Sequence, residues 1–507
     1  MSRRTGALMV CGATSGAGKS TVTAAVCRSW ARRGLRTAPF KAQNMSNHAA
    51  VTADGGEVGR AQAMQTRAAG VEVERRMNPV LLKPSSDKVS HLVVLGDEVS
   101  TTDARGYGPT SRGLRPVVLE ALSSLRDEYD WVVAEGAGGA AEINLLDRDL
   151  VNLPLARAAG MPALLVVDID RGGAFASAHG TIDLLPPSLS GRIGGIVFNS
   201  FRGDPSLLAD GVAELERRCG APVLGVLPHL AGETMLGVED FLDIRTGLHS
   251  TARSAEPVRV AAIRLPRLAN PSDLDPFAVE PDVEMRWVTR PDELATADLI
   301  VLPGSRATVA DLDWLRRTGL AGFLTSCETP IIGICAGYQM LCQQIHDEIE
   351  SDSGTVAGLG LLDAKARFEP PKVVCRCTFT VDGHRIEGYQ IRFGRIESQE
   401  RPWFSPVPPA DPGGGAETGH EGAVSPDGRI RASSVHGLFD ADGFRSELLG
   451  AVAAAGGRGY RPATTPYHDA LEAHHERLAD WLEEHVDAGA LLDLAASATP
   501  VGSEPGW

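Results

Sequence analysis

Ala7-Leu-Met-Val10-Cys-Gly12-Ala-Thr14-Ser-Gly16-Ala-Gly18-Lys19-Ser20 decides the class of fold. The short apolar run reads as a buried strand, and the spacing from Lys19 to Trp30 reads as a helix. Between them, glycines let backbone N–H groups curl around phosphate oxygens at the positive end of the helix. Lys19 would neutralise phosphate charge, and Ser20 would hold a magnesium ion. Ala13 stands where the first glycine of such a loop usually sits, with Gly12 before it. A glycine-rich turn without a ligand is the bland alternative; strand, loop, Gly-Lys-Ser and helix together outweigh it. Gly12, Thr14, Gly16, Gly18, Lys19 and Ser20 are therefore assigned to an ATP-binding loop.

Working outward, further buried-strand patterns occur at Trp131–Ala134, Ala163–Val167, Ile193–Phe198 and Val223–Leu227, with helical stretches such as Ser206–Cys219 between them. This alternation predicts a doubly wound α/β domain with a parallel sheet, whose ligands sit beyond the carboxyl ends of the strands. Glu135 ends one of these strands and is a candidate magnesium ligand beside Ser20. Asp54 and Glu57, in a glycine-rich loop, are further metal candidates, although such acids are often turn formers. Lys41, Gln43 and Asn44 follow the second strand pattern, where they could meet phosphate or an acidic substrate.

A chain of 507 residues calls for two or more cores. Irregular, polar sequence near His249–Pro257 precedes a fresh strand pattern at Val258–Leu265, which starts a second alternating series. The expected division is residues 1–248, a linker at 249–257, a second α/β domain at 258–490 with a Pro/Gly-rich surface loop near 402–428, and a tail at 491–507. The formal charge of −16 argues against broad binding to nucleic acid or anionic membranes. No apolar run reaches the roughly 18 residues of a membrane helix. Eight scattered cysteines without a Cys-x-x-Cys pair predict reduced thiols in a cytoplasm, not a disulfide framework or a zinc site. Oligomeric state is not legible.

In the second series, Pro330-Ile-Ile-Gly-Ile-Cys335-Ala-Gly337 is a strand running into a tight turn and a helix, with a thiol at the corner. That geometry exposes the sulfur near a helix N-terminus and favours the thiolate. A buried cysteine is more often a small hydrophobe, so a partner base is required. His436, in Ser434-Val-His-Gly-Leu-Phe439, is the best placed of the 13 histidines. Backbone N–H groups of Ala336 and of the Gly304-Ser305 turn would form an oxyanion hole.

The Cys335 elbow and His436-Gly-Leu-Phe439 resemble the class I glutamine amidotransferases of the cobyric acid synthase and cobyrinic acid a,c-diamide synthase group. The N-terminal half resembles the dethiobiotin synthetase-like P-loop domain, through Gly12–Ser20, Glu135-Gly-Ala-Gly-Gly139 and Asn199. Similar stretches cover most of the chain: Pro39-Phe-Lys-Ala-Gln-Asn44, Gly59-Arg-Ala-Gln62, Met77-Asn-Pro-Val-Leu-Leu-Lys-Pro84, Ala141-Glu-Ile-Asn-Leu145, Asp168-Ile-Asp-Arg-Gly-Gly173 and Phe201-Arg-Gly-Asp204. The resemblance implies a flavodoxin-like C-terminal fold, a nucleotide contact by Asn199 and a glutamine contact by Gln339. It also implies amidation of the b, d, e and g carboxylates of adenosylcobyrinic acid a,c-diamide to adenosylcobyric acid, with one ATP used per amide.

The sequence departs from the group in places. Leu438 stands where many such glutaminases carry a glutamate, which leaves the third triad member unassigned. His91 and Asp97, and Gln390 and Arg392, replace residues usual in their segments. Two rival readings are amidation of another corrinoid acid, in the manner of the a,c-diamide synthases, and a non-catalytic P-loop switch with a decayed amidotransferase domain. The extra loop lysine of partitioning ATPases is missing, and the acidic charge disfavours DNA.

Overall fold

The computed structural model describes residues 5–85, 89–103, 106–230, 247–248, 254, 256–407 and 419–502. The expected linker at 249–257 and the centre of the Pro/Gly-rich loop near 402–428 lie largely outside these residues.

The first sheet has six strands, each parallel to its neighbours. Their spatial order is Val223–Pro228, Ile193–Phe201, Ala163–Asp168, Gly6–Gly12, Trp131–Glu135 and Thr37–Phe40. Burial on both faces explains why most of these strands are apolar without alternation. Helix Lys19–Arg32 covers one face and wedges Trp30 against Trp131, with ring centroids 5.2 Å apart. Later strands are added on both sides of Gly6–Gly12, so its carboxyl end is the switch point where a ligand has room. A small sheet of Gln43–Met45, Val80–Pro84, Val89–Val94 and Asp97–Asp103 extends this half.

A second sheet carries parallel strands in the order Val283–Val288, Val258–Ile263, Leu299–Leu302, Ile331–Ile334 and Ile430–Ser433, with short antiparallel strands at its edges. From it projects a long hairpin, Leu362–Val381 with His384–Ser398. The hairpin reaches the first half: Arg376 Nε donates to the Val51 carbonyl at 3.0 Å, and Lys372 Nζ lies 2.7 Å from Glu57 and 2.9 Å from Glu98. Lys83 pairs with the other oxygen of Glu57. Burial alone would raise the Glu57 carboxyl, but Lys372 and Lys83 hold it down at about 2.

The end of the chain differs from the sequence reading. Helix Tyr467–His485, expected in the second domain, lies along Lys19–Arg32 of the first. Arg28 reaches Glu476 at 2.7 Å, Arg32 reaches Asp480 at 2.5 Å, and Trp481 Nε1 donates to the Pro228 carbonyl. Helix Ala488–Ala496 straddles the expected boundary between the second domain and the tail at 491–507, yet its Leu491 and Ala495 are buried with Trp30 and Trp131. An amphipathic pattern records that a face must be buried, not which sheet buries it. All eight cysteines are free thiols. Among the described residues, no helix is long and apolar enough to cross a membrane.

Candidate functional site

The loop after Gly6–Gly12 wraps toward the N-terminus of Lys19–Arg32. Gly18 has φ 90°, and a methyl group there would lie 2.1 Å from Asn199 Nδ2, so only glycine fits. Asn199 in turn donates to the Ala17 carbonyl at 2.9 Å, which fixes the loop from a neighbouring strand. Lys19 Nζ bridges the Thr14 and Gly138 carbonyls at 3.3 and 3.0 Å. Its ammonium is thus held inside the loop.

Glu135 is the hub of this end. It accepts from Ser20 Oγ at 2.8 Å and from Lys41 Nζ at 2.8 Å, and Gln65 Nε2 binds its other oxygen. Ser20 and Glu135 present the hard oxygens that a magnesium ion shared with phosphates takes. Among the described residues, no group of three or more His, Cys, Asp or Glu side chains is arranged to hold a metal ion. A magnesium completed by phosphate and water does not need one. Gln43 meets the Tyr107 hydroxyl, and Asn44 Nδ2 donates to Gln62 at 3.3 Å.

Asp54, expected as a metal candidate, is placed apart from the Ser20–Glu135 pair. Its carboxylate is taken by Thr52 and by Arg75 Nε at 2.8 Å, in an exposed turn. Aspartate here stabilises the turn through its own backbone neighbourhood. Glu57 is likewise engaged, with Lys83 and Lys372.

At the second site, strand Ile331–Ile334 ends at Cys335, which has φ 54° and ψ −109°. A non-glycine residue at positive φ is strained, and at this corner the Cys335 thiol is buried, not exposed as the sequence pattern suggests. The corner is tight because Gly337 passes the Leu302 carbonyl so closely that a methyl group would sit 1.9 Å from its oxygen. Cys335 N–H is tied to the Ser433 carbonyl at 2.8 Å, beside the strand that leads to His436.

His436 is buried, and Cys335 is one of its side-chain partners. On its other side Nδ1 lies 2.7 Å from Asp273 Oδ2, and Asp273 Oδ1 accepts from Gly437 N–H at 2.9 Å. Burial alone would lower the imidazole pKa, but Asp273 and then Cys335 push it up to about 10. The Tyr389 ring stacks on the imidazole at 5.2 Å. Asp273 was not found from sequence, and Leu438 is a buried core residue. The available signal was Asn270-Pro-Ser-Asp273-Leu-Asp275, a polar cluster just beyond the carboxyl end of Val258–Ile263.

Gly304 and Ser305 pair with Ala269 and Leu268, and a methyl group on Gly304 would come within 3.3 Å of His436. Ala336 heads a helix, where its N–H has no intrahelical acceptor. The Ser305 hydroxyl donates to Asp311 at 2.6 Å. Gln339 is buried and accepts from Thr308 Oγ1 at 3.0 Å. Ser305, Thr308 and Gln339 line a cavity with Cys335, His436, Arg306, Glu350, Arg392 and, from the first half, Asn47 and Lys83. Of the departures from the family pattern, Arg392 Nε donates to Gln390 at 3.0 Å at this cavity, His91 pairs with Glu98 at 2.6 Å, and Asp97 pairs with Arg75 at the surface.

Residues 8–232 match the family described as the CobQ/CobB/MinD/ParA nucleotide binding domain, and residues 259–444 match the CobB/CobQ-like glutamine amidotransferase domain. Proteins named cobyric acid synthase from Nocardia farcinica and Frankia casuarinae are 48% and 46% identical to this chain, over 98% of it and 98% of each relative. One from Rhodococcus jostii is 47% identical over 99% of this chain and 98% of its own. Among solved structures, that of PurLQS from Thermotoga maritima aligns with 38% of this chain and 92% of its own at 18% identity, with a TM-score of 0.28 that is too low to bear on the fold. Near-half identity along both sheets and both sites leaves one conclusion: the chain belongs to the cobyric acid synthase family.

Proposed function

We propose that this protein is a glutamine-hydrolysing ligase that converts the b, d, e and g carboxylates of adenosylcobyrinic acid a,c-diamide into carboxamides, using ATP. The observation that carries the reading is the pairing, in one chain, of Cys335 with a His436–Asp273 dyad and of a phosphate loop with the Ser20–Glu135 pair. Residues up to about 248 form the ATP-dependent half, and those from 258 the glutaminase half, with helices Tyr467–His485 and Ala488–Ala496 returned to the first.

In the glutaminase half, Cys335 sulfur attacks the side-chain amide carbon of glutamine. The oxyanion is held by N–H groups of Ala336 and of the Gly304-Ser305 turn. His436 passes a proton to the leaving nitrogen, ammonia departs, and water cleaves the thioester to glutamate with His436 as base. Asp273 holds the imidazole in orientation and stabilises its charged form. In the ATP half, a substrate carboxylate oxygen attacks the γ-phosphorus and expels ADP, and ammonia then displaces phosphate from the acyl phosphate. Lys19 and the loop N–H groups stabilise the transferring charge. Magnesium held by Ser20 and Glu135 would supply further neutralisation of phosphate charge.

The test is product mass with ATP, glutamine and the a,c-diamide, in wild type and Cys335→Ala. The wild type should add four amides. The variant should lose amidation with glutamine and retain it with ammonium, because the two reactions occupy separate sites. Undiminished glutamine use by Cys335→Ala rejects the nucleophile, and amidation confined to a less amidated corrinoid acid favours the a,c-diamide synthase reading.

A further inference from the structure

The cavity beside Cys335 contains polar groups that the protein itself leaves unsatisfied. Arg306 is 6% exposed, yet among the described residues its Nε and Nη2 have no hydrogen-bond partner. Its Nη1 is anchored to Glu350, so the free edge of the guanidinium is fixed in direction. Glu350 is itself placed by a tight turn in which Asp347 accepts from the backbone N–H groups of Ile349, Glu350 and Ser351 at 2.8–3.1 Å. Across the same cavity, the buried Asn47 Oδ1 also lacks a donor among the described residues. Buried polar groups of this kind are expensive unless a ligand completes them.

The two orphans are complementary in type. Nε and Nη2 of an arginine form a planar fork that fits a carboxylate in bidentate fashion. The Asn47 amide can offer an oxygen to an ammonium. Both lie around a space that also holds the Cys335 thiol and Gln339. We propose that Arg306 binds the α-carboxylate of glutamine and Asn47 its α-ammonium, so that the amino-acid end of the donor is read jointly by the two halves of the chain. This rests on the glutaminase reading above and adds its specificity-determining residues.

Asn47 and Lys83 of the ATP half form one wall of this cavity. Arg306 sits two residues beyond Gly304, so seating the carboxylate also sets the position of the oxyanion turn relative to the amide carbon.

The experiment compares hydrolysis of L-glutamine and L-glutaminamide, which lacks the α-carboxylate, by wild type, Arg306→Ala, Arg306→Lys and Asn47→Leu. The wild type should prefer glutamine by at least about 100-fold in kcat/KM, as expected of a buried site built to bond a charged group. Arg306→Ala should lose that preference to within about tenfold, mainly through KM for glutamine, with turnover of glutaminamide little changed. Arg306→Lys, which keeps the charge but not the fork, should be intermediate, and it decides the matter if the alanine variant does not fold. Asn47→Leu should raise KM for glutamine about tenfold and leave the glutamine-to-glutaminamide ratio unchanged. Equal loss of both substrates in the Arg306 variants, with the ratio intact, would show a purely structural arginine and overturn the proposal. A wild type that releases no glutamate from glutamine removes both the glutaminase reading and this one, whereas an unaltered ratio in active variants removes only this one.

Discussion

The phosphate loop and the cysteine site both lie at the carboxyl ends of parallel strands, yet they recruit their residues over very different spans of chain. Most of the loop is one contiguous stretch, Gly12 to Ser20, with Glu135, Lys41 and Asn199 brought in from neighbouring strands. The cysteine site joins Asp273, Cys335 and His436, each from a different strand end of the second sheet, and closes over them with Asn47 and Lys83 of the first half. A contiguous loop binds by backbone, so single side chains there matter through charge. A dispersed site works by mutual orientation, so each member acts through the next.

The comparison breaks most visibly at Lys19. Lys19→Met should reduce amidation with either glutamine or ammonium by about 100- to 1000-fold, since a cation at the transferring phosphoryl group is lost from both routes. Glutamate release from glutamine should survive, because Lys19 sits in the phosphate loop on the Thr14 and Gly138 carbonyls, and the cavity at Cys335 is lined by other residues. A variant that amidates normally with ammonium would remove the loop from the chemistry.

Asp273→Asn sharpens the dispersed half. Glutamine hydrolysis should fall on the order of 100-fold, because the imidazole loses its orienting carboxylate. Burial lowers the His436 pKa while Asp273 and Cys335 raise it toward about 10, so the substitution leaves Cys335 alone against burial and the pKa falls. The basic limb of the glutaminase pH profile should therefore move to lower pH. Stability follows the same sign. A raised histidine contributes stability that is fully present below its ordinary value of 6.5 and is lost as pH rises through about 10, so the deficit of the variant should shrink across that window. Thermal melts at pH 6.5 and 10 check this; a constant deficit would mean that Asp273 acts only through Gly437.

The same contrast explains what could be read from sequence. Gly18-Lys19-Ser20 and Cys335 announce themselves because local geometry demands those residue types in that order. Asp273 does not, because an aspartate in a proline-punctuated loop is ambiguous until the fold sets it 2.7 Å from His436. Looking two residues beyond the histidine found Leu438, a core side chain, since the carboxylate arrives instead from the loop after Val258–Ile263. Asp54 is ambiguous in another sense: acids near glycine suit turns and metals equally, and its pairing with Arg75 is not written in that local pattern. Helices Tyr467–His485 and Ala488–Ala496 carry an amphipathic face whose partner sheet is a long-range fact that periodicity does not encode.

Gly337→Ala tests how rigid the corner is. A methyl group 1.9 Å from the Leu302 carbonyl oxygen forces the helix away from the turn that carries Gly304. Overpacking of this kind costs about 1–3 kcal/mol, and glutamine hydrolysis should fall about tenfold with ammonium-dependent amidation kept. Equal decline of both activities would place the damage in the fold as a whole.

The smallest effect expected is at Tyr389, and it separates packing from hydrogen bonding. Its ring stacks on His436 at 5.2 Å, whereas its buried hydroxyl has no hydrogen-bond partner among the described residues. Deleting an unsatisfied buried hydroxyl removes a desolvation penalty and keeps the ring. Tyr389→Phe should therefore melt at or slightly above the wild-type temperature and hydrolyse glutamine within about twofold of it, while Tyr389→Ala, which removes the stack, should lose about 3 kcal/mol of stability. A strong activity loss in the phenylalanine variant would assign the hydroxyl a part in the dispersed site, and would make His436 dependent on a group that the cavity around Cys335 does not contain.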